Sequence, residues 1–304
     1  MLDQPHPMVW CENLIKLYKT KDFEVMALQG LDLEVAVGEV MAVAGSSGSG
    51  KSTLLNMLGG LDRPTAGKLR IDGCDMLSLT DSELVRYKRE NVGFVWQNNA
   101  RNLIPFLTAR DNVELPMILT TESGRRLRSV ELLELVGLAD KQKNKVYELS
   151  GGEQQRVAIA IAMANNPRLM LADEPTGAVD THTAGIIMDI FRELQTQGHT
   201  VIIVTHDLAV SRKVDRVVAI RDGRVSSEFT RRSSYAEALN TVGDLRQSVP
   251  EEEHKEYLVL DKVGRVQLPR EFLQALDIIG GTDKVSAELE SDRIVLFKKD
   301  DPDI

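Results

Sequence analysis

The densest chemical signal in this 304-residue chain is the run Gly45-Ser46-Ser47-Gly48-Ser49-Gly50-Lys51-Ser52-Thr53, placed directly after the apolar segment Val40 to Ala44. It satisfies the spacing G-x-x-x-x-G-K-[ST] in a strand, loop, helix context. Glycines at these positions let backbone N–H groups turn inward around a polyphosphate, and the following helix presents its positive end. Lys51 supplies a cation to the outer phosphates and Ser52 an oxygen for Mg2+. The rival reading, a glycine-rich turn with an incidental lysine, does not account for both flanking elements.

A second element, Leu169-Met170-Leu171-Ala172-Asp173-Glu174, is an apolar strand that ends in two carboxylates. Consecutive residues at a strand end diverge, so Asp173 can face a metal while Glu174 faces an attacking water. Two solvated acids at a strand terminus are the bland alternative. A third element, Leu149-Ser150-Gly151-Gly152-Glu153-Gln154-Gln155-Arg156, precedes a helical run. Ser150 and Glu153 have capping-box spacing, and the two glycines leave the first helical N–H groups uncovered, which makes a second anion site. One nucleotide needs no second cradle, so this one is expected to close over a nucleotide held by another copy of the chain.

These elements need a frame, and the sequence between Val9 and Glu228 supplies it by alternating short apolar runs with helical patterns, as an α/β domain on a largely parallel sheet does. The spacing predicts strands at Val40 to Ala44, Asn91 to Val95, Leu169 to Ala172, Val201 to Val204 and Val217 to Ile220. Helices are predicted over Lys51 to Leu58, Arg125 to Val136, Gln154 to Ala164 and Thr183 to Leu194. About 108–165 has no convincing strand and reads as a helical insertion. Residues 230–256 are polar and read as a linker, with one helix around Tyr235 to Leu239. Beyond them, 257–304 returns to short apolar alternation around a helical Pro269 to Leu276, a small β-rich second domain.

Composition narrows the class of function. Apolar residues make up 42% of the chain, enough for a buried core, and acidic residues exceed basic ones by nine, which argues against nucleic acid as the main partner. Cys11 and Cys74 have no metal-ligand spacing and are expected to be reduced thiols. Met1 to Pro7 lacks the basic-then-apolar pattern of a signal peptide, and no run approaches the roughly 18 to 20 apolar residues that span a bilayer. The expected location is therefore cytoplasmic, with any membrane role peripheral, on the inner face.

In order and approximate spacing, Gly45 to Thr53, Gln97, Leu149 to Gln155, Leu169 to Glu174, Asp180 and His206 resemble the nucleotide-binding domain of ABC transporters. The resemblance covers Val9 to Glu228, within a domain of residues 1–229. The stretches Gly59 to Gly67, Ala172 to Gly177 and His199 to Asp207 are similar to the macrolide-export and lipoprotein-release subgroup, which also includes cell-division ATPases. The resemblance implies an ATPase using ATP and Mg2+. In it Tyr18 stacks on adenine, Gly45 to Gly50 cradle phosphates, and Lys51, Ser52 and Thr53 engage phosphates and metal. Gln97 senses metal and water, Asp173 lies on the metal side, Glu174 polarises the water, and His206 contacts the γ-phosphate. Ser150, Gly151, Gly152 and Glu153 act in trans across a head-to-tail homodimer, with Asp180 near its seam. Tyr18 as an ordinary strand aromatic and His206 as a turn histidine remain the alternatives. The implied partner is a separate transmembrane permease; the alternatives are a soluble ABC ATPase or a regulator acting on nucleic acid. One departure stands out: Asn98-Asn99-Ala100-Arg101 makes the segment between Gln97 and Asn102-Leu103-Ile104-Pro105 two residues longer than the family pattern, in a region that docks on the permease in relatives.

The tail, Leu258 to Lys299, resembles the swapped-hairpin domain of AbrB-type regulators, in which two chains exchange hairpins into one small barrel. Relatives of that domain often bind DNA, but Tyr257 to Ile304 carries ten acidic against seven basic residues, so a dimerisation module is the stronger expectation.

Overall fold

A computed structural model of the chain describes residues 6–19, 23–97, 102–120, 123–206, 210, 213–230, 255–260, 264–268, 270–275, 278, 285–290 and 293–298. Two compact units emerge, Met1–Tyr257 and Leu258–Ile304. The first contains two sheets. Strands β1 (Val9–Lys19), β2 (Glu24–Val35), β4 (Ala66–Ile71) and β5 (Cys74–Asp75) form an antiparallel sheet in the order β2-β1-β4-β5. The larger sheet contains β3 (Val40–Ala44), β6 (Val92–Val95), β7 (Leu169–Asp173), β8 (Thr200–Thr205), β9 (Arg216–Arg221), β10 (Arg224–Thr230) and β11 (Lys255–Leu258), in the order β11-β10-β9-β3-β8-β7-β6. From β9 to β6 its neighbours pair in parallel, and β10 returns antiparallel on β9.

The central strands read as unbroken apolar runs because both of their faces are covered. Val40 and Ala42 of β3 join Met170, Ala172, Val201 and Ile203 in a core shared with the helices. Their neighbours Met41 and Val43 join Leu171, Ile202 and Val204 in a second core, shared with the antiparallel sheet and with α1 (Lys51–Leu58). Period-two alternation thus divides one strand between two cores.

The remaining helices of this unit are α2 (Asp81–Glu90), α3 (Ala109–Glu114), α4 (Arg125–Leu135), α5 (Gly151–Ala162) and α6 (Thr181–Thr196), with a 3-10 turn at Leu115–Leu119. Several helix starts lie where side-chain caps put them. Thr80 and Glu83 form a capping box on α2, an element the periodicity had not indicated. Ser150 caps α5 three residues ahead of the expected start, and Asp180 caps α6 two residues ahead. The sheet order also brings in β1, β2, β4 and β5, none of which the spacing had singled out.

In the second unit, α7 (Arg270–Ala275) precedes an antiparallel hairpin of β12 (Val285–Glu290) and β13 (Arg293–Lys298), in register from Val285↔Lys298 to Glu290↔Arg293. Leu260 and Val266 form an isolated bridge. The expected connector helix at Tyr235 to Leu239 lies outside the described residues.

Candidate active site

Parallel strands open a crevice at their carboxyl ends, and the segments leaving β3, β7, β8 and β6 carry the candidate site residues. After β3 comes the glycine loop. Gly45, Gly48 and Gly50 have φ of 154°, 78° and 105°. At Gly50 a Cβ would come within 2.5 Å of the Ala27 carbonyl oxygen, so backbone approach as well as left-handed geometry demands glycine there. Lys51 is buried, and its Nζ donates to the carbonyls of Gly45 and Ser46, both at 2.9 Å. Ser49 is buried too, with an Oγ that has no protein partner in this loop of backbone donors.

Strand β7 delivers Asp173, whose carboxyl sits above the usual aspartate range. Burial is the main cause and the neighbouring Glu174 adds to it, while Lys51 and the Ser52 hydroxyl work in the opposite direction. Asp173, Lys51 and Ser52 are therefore in one electrostatic neighbourhood, although 122 positions separate Lys51 from Asp173 in the sequence.

Glu174 follows with φ of 49°, a left-handed conformation that costs a non-glycine residue about 1–2 kcal/mol. Its N–H donates to the Val204 carbonyl at 2.8 Å, and its own carbonyl accepts from Gly177. The turn aims the side chain at His206, just past β8, whose Nδ1 lies 2.7 Å from Glu174 Oε1. The other oxygen, Oε2, is buried with no hydrogen-bond partner. Gln97 is exposed, two residues beyond Val95 of β6 just as Glu174 is two beyond its register partner Ala172.

Tyr18 lies near the end of β1, with its hydroxyl donating to Asp62 at 2.7 Å and the Thr53 side chain acting on the same hydroxyl. Ser46, Ser47, Gly48 and Thr53 complete the loop and the first turn of α1.

The capping box ahead of α5 is built as its spacing indicated. Ser150 Oγ accepts from the Glu153 N–H at 3.2 Å, and Glu153 Oε2 accepts from the Ser150 N–H at 2.8 Å. The Ser150 N–H is the chief influence holding the half-buried Glu153 carboxyl below its ordinary range. A Cβ on Gly151 would meet open space, but one on Gly152 would come within 2.6 Å of Thr183 Cγ2. Thr183 is also the residue that Asp180 caps, through its N–H at 3.0 Å and its hydroxyl at 2.7 Å. Sequence reasoning passed over Thr183; the D-x-x-T cap spacing was its only signal.

Among the described residues no group of three or more His, Cys, Asp or Glu is arranged to hold a metal ion, and no helix is long and apolar enough to cross a membrane. A phosphate loop with a lysine, a strand-end acid pair and a capped glycine-rich second cradle define a P-loop nucleotide-binding ATPase domain. The family model for ABC transporters matches residues 28–177. An uncharacterised ABC transporter ATP-binding protein of Bacillus subtilis, YvrO, is 48% identical over 72% of this chain and 95% of its own length. The macrolide export ATP-binding/permease protein MacB of Brucella melitensis is 44% identical over 75% of this chain; the match spans about a third, 35%, of that relative's length. Among solved structures, a dimeric post-hydrolysis state of the ATP-binding cassette MJ0796 bound to ADP and Pi superposes with a TM-score of 0.68 at 43% identity, covering 73% of this chain and 98% of the cassette. The chain belongs to the ABC transporter family, as an ATP-binding cassette.

Proposed function

We propose that this cassette hydrolyses ATP as a head-to-tail dimer and couples that cycle to a membrane-embedded permease. The observation that carries the hydrolytic part is the Glu174 carboxylate, with one oxygen held by His206 and the other buried without a partner. An unpartnered carboxylate oxygen has spare acceptor capacity, and Glu174 would use it to take a proton from an attacking water once nucleotide and partner complete the site. The loop N–H groups and Lys51 would hold the β- and γ-phosphates. Ser52 and Asp173 offer the hydroxyl and the single carboxylate that suit Mg2+ alongside phosphate oxygens, and the ion would neutralise charge on the phosphates. The Ser150 hydroxyl and the N–H groups at the open face of Gly151 would be the donors to the γ-phosphate of the opposite copy, with Asp180 and Thr183 supporting them. The dimeric MJ0796 cassette supports this arrangement, and MacB, which carries its permease in the same chain, supports the membrane partner and a peripheral location on the membrane.

The Leu258–Ile304 unit is read as a self-pairing module. Its described apolar side chains are largely open to solvent, Leu289 at 77% and Ile294 at 70% exposure, and a two-stranded hairpin does not bury a core by itself. A second copy would cover them. Measuring ATP turnover of the purified chain against the Lys51→Ala and Glu174→Gln variants tests the ATPase reading; wild-type turnover no faster than that of both variants would sink it. Recovery from membranes with a polytopic partner tests the coupling.

A further inference from the structure

Resting on the reading of Tyr18 as the nucleobase platform, we propose that Asp62 and Lys16 are positioning residues that clamp its ring and fix its distance from the phosphate loop. Lys16 and Tyr18 stand two apart on β1, on one face of the strand. Asp62, 44 residues after Tyr18, accepts from the Tyr18 hydroxyl through Oδ2 at 2.7 Å and from Lys16 Nζ through Oδ1 at 2.5 Å. The Lys16 ammonium also donates to the Arg63 carbonyl at 2.8 Å and lies 4.8 Å from the centroid of the Tyr18 ring. One end of the ring is therefore tied and a cation attends it, while the residue as a whole keeps 38% of its surface exposed. A cation beside the ring draws electron density from it, which favours stacking of an electron-rich purine.

What makes Asp62 more than a local partner is where its backbone is anchored. The N–H groups of Leu61 and Asp62 both donate to the carbonyl of Asn56 in α1, at 2.8 and 3.3 Å. Three residues later, Thr65 is bonded to β1 through its N–H to the Ile15 carbonyl at 2.8 Å, and its Oγ1 accepts from the Leu17 N–H at 3.0 Å and donates to the Leu17 carbonyl at 3.5 Å. Helix α1 thus ends in a segment laced to the strand that bears Tyr18, and it begins at Lys51 of the phosphate loop. Thr53, in the first turn of the same helix, also meets the Tyr18 hydroxyl, so the platform is tied to α1 both at its phosphate-loop end and through the segment that follows it.

The test compares ATP with inorganic tripolyphosphate, which lacks a base. Asp62→Ala should weaken ATP binding by roughly five- to tenfold, a partial loss of a base stack, and leave tripolyphosphate affinity unchanged. It should raise KM for ATP with little change in kcat. Adding Tyr18→Phe to Asp62→Ala should cause little further loss, since both remove the same bond, and Asp62→Asn, which keeps one of the two acceptor oxygens, should restore part of the affinity. Equal weakening of ATP and tripolyphosphate, unchanged ATP affinity, or additive losses in the double variant would each overturn the proposal. If Asp62→Ala fails to fold, Lys16→Met gives the same comparison. A wild-type chain that binds tripolyphosphate and ATP equally would instead remove the platform reading on which the proposal rests.

Discussion

Nδ1 of His206 lies 2.7 Å from Oε1 of Glu174, joining an imidazole that is 70% exposed to a carboxylate that is 11% exposed. An ionised carboxylate accepts, so Nδ1 carries the proton, and Nε2 can donate to a phosphate oxygen only when the ring is charged. The pair orients the Glu174 oxygen that has no partner. Glu174→Gln should retain ATP binding yet slow turnover by roughly two orders of magnitude, measured as single-turnover hydrolysis beside nucleotide affinity. Near-normal turnover would remove Glu174 from the chemistry.

Asp173 carries a stability cost in its environment. Its carboxyl is raised by burial and by Glu174, so the folded state holds a proton that the unfolded chain has already released. The contribution is therefore favourable below the ordinary aspartate value and is lost as the pH rises through the raised one. Asp173→Asn should raise the melting temperature of the nucleotide-free protein at pH 7 and flatten that acid-side slope, while weakening metal-dependent ATP hydrolysis. A lower melting temperature for the variant at pH 7 contradicts this account.

The Ser150 cap separates helix stability from the proposed trans contact. Ser150→Ala should cost about 1 kcal/mol through loss of the cap. Ser150→Asp keeps a good cap but sets a negative charge against the partner's phosphates, so its melting temperature should stay near wild type while ATP-dependent dimerisation, followed by light scattering in a Glu174→Gln background, disappears. Undiminished dimerisation of Ser150→Asp would contradict head-to-tail closure.

Gly48 and Gly50 provide a matched pair. Both have positive φ, but a Cβ at Gly48 meets nothing within 4 Å, whereas one at Gly50 collides with Ala27 and Leu28. Gly48→Ala should lower stability by about 1–2 kcal/mol, the conformational strain alone. Gly50→Ala should lower it clearly further in denaturant titrations, because β2 must shift. Equal losses would show that the close approach is unimportant.

The self-pairing module is tested by truncation after Val259, which keeps β11 in the large sheet. Without a permease, the shortened chain should lose specific ATPase activity on dilution, and the full-length chain should hold it, because tethering raises effective concentration to roughly the millimolar range. Identical dilution curves would assign the tail another role.

How far the sequence reveals this architecture depends on where the signal resides. Strands β3, β7 and β8 were legible because both faces are buried and the apolar run is continuous, as in Val201 to Val204. Strands β1 and β2 were not, since Glu24, Val25 and Met26 are exposed and the β1–β2 pairing carries register shifts that break any period of two. The loop glycines and the acid pair stood out through fixed spacing. The meeting of Glu174 with His206 comes from parallel pairing of β7 with β8, and the Asp62 bridge from contacts across 44 residues; spacing does not encode either.

Asn102 has a consequence for how such a cassette can change over generations. Its side chain accepts from the Trp96 N–H at 3.1 Å and donates to the Trp96 carbonyl at 3.0 Å, so positions 96 and 102 are clasped together at the end of β6. Residues inserted between Trp96 and Asn102 leave that clasp and the end of β6 where they are. Insertion length after Gln97 becomes an adjustable parameter, with the strand end that carries Gln97 held by the clasp. The two residues by which this stretch exceeds the pattern of the family it resembles would be a change of that kind, and an engineer can lengthen or shorten it with the clasp kept in place.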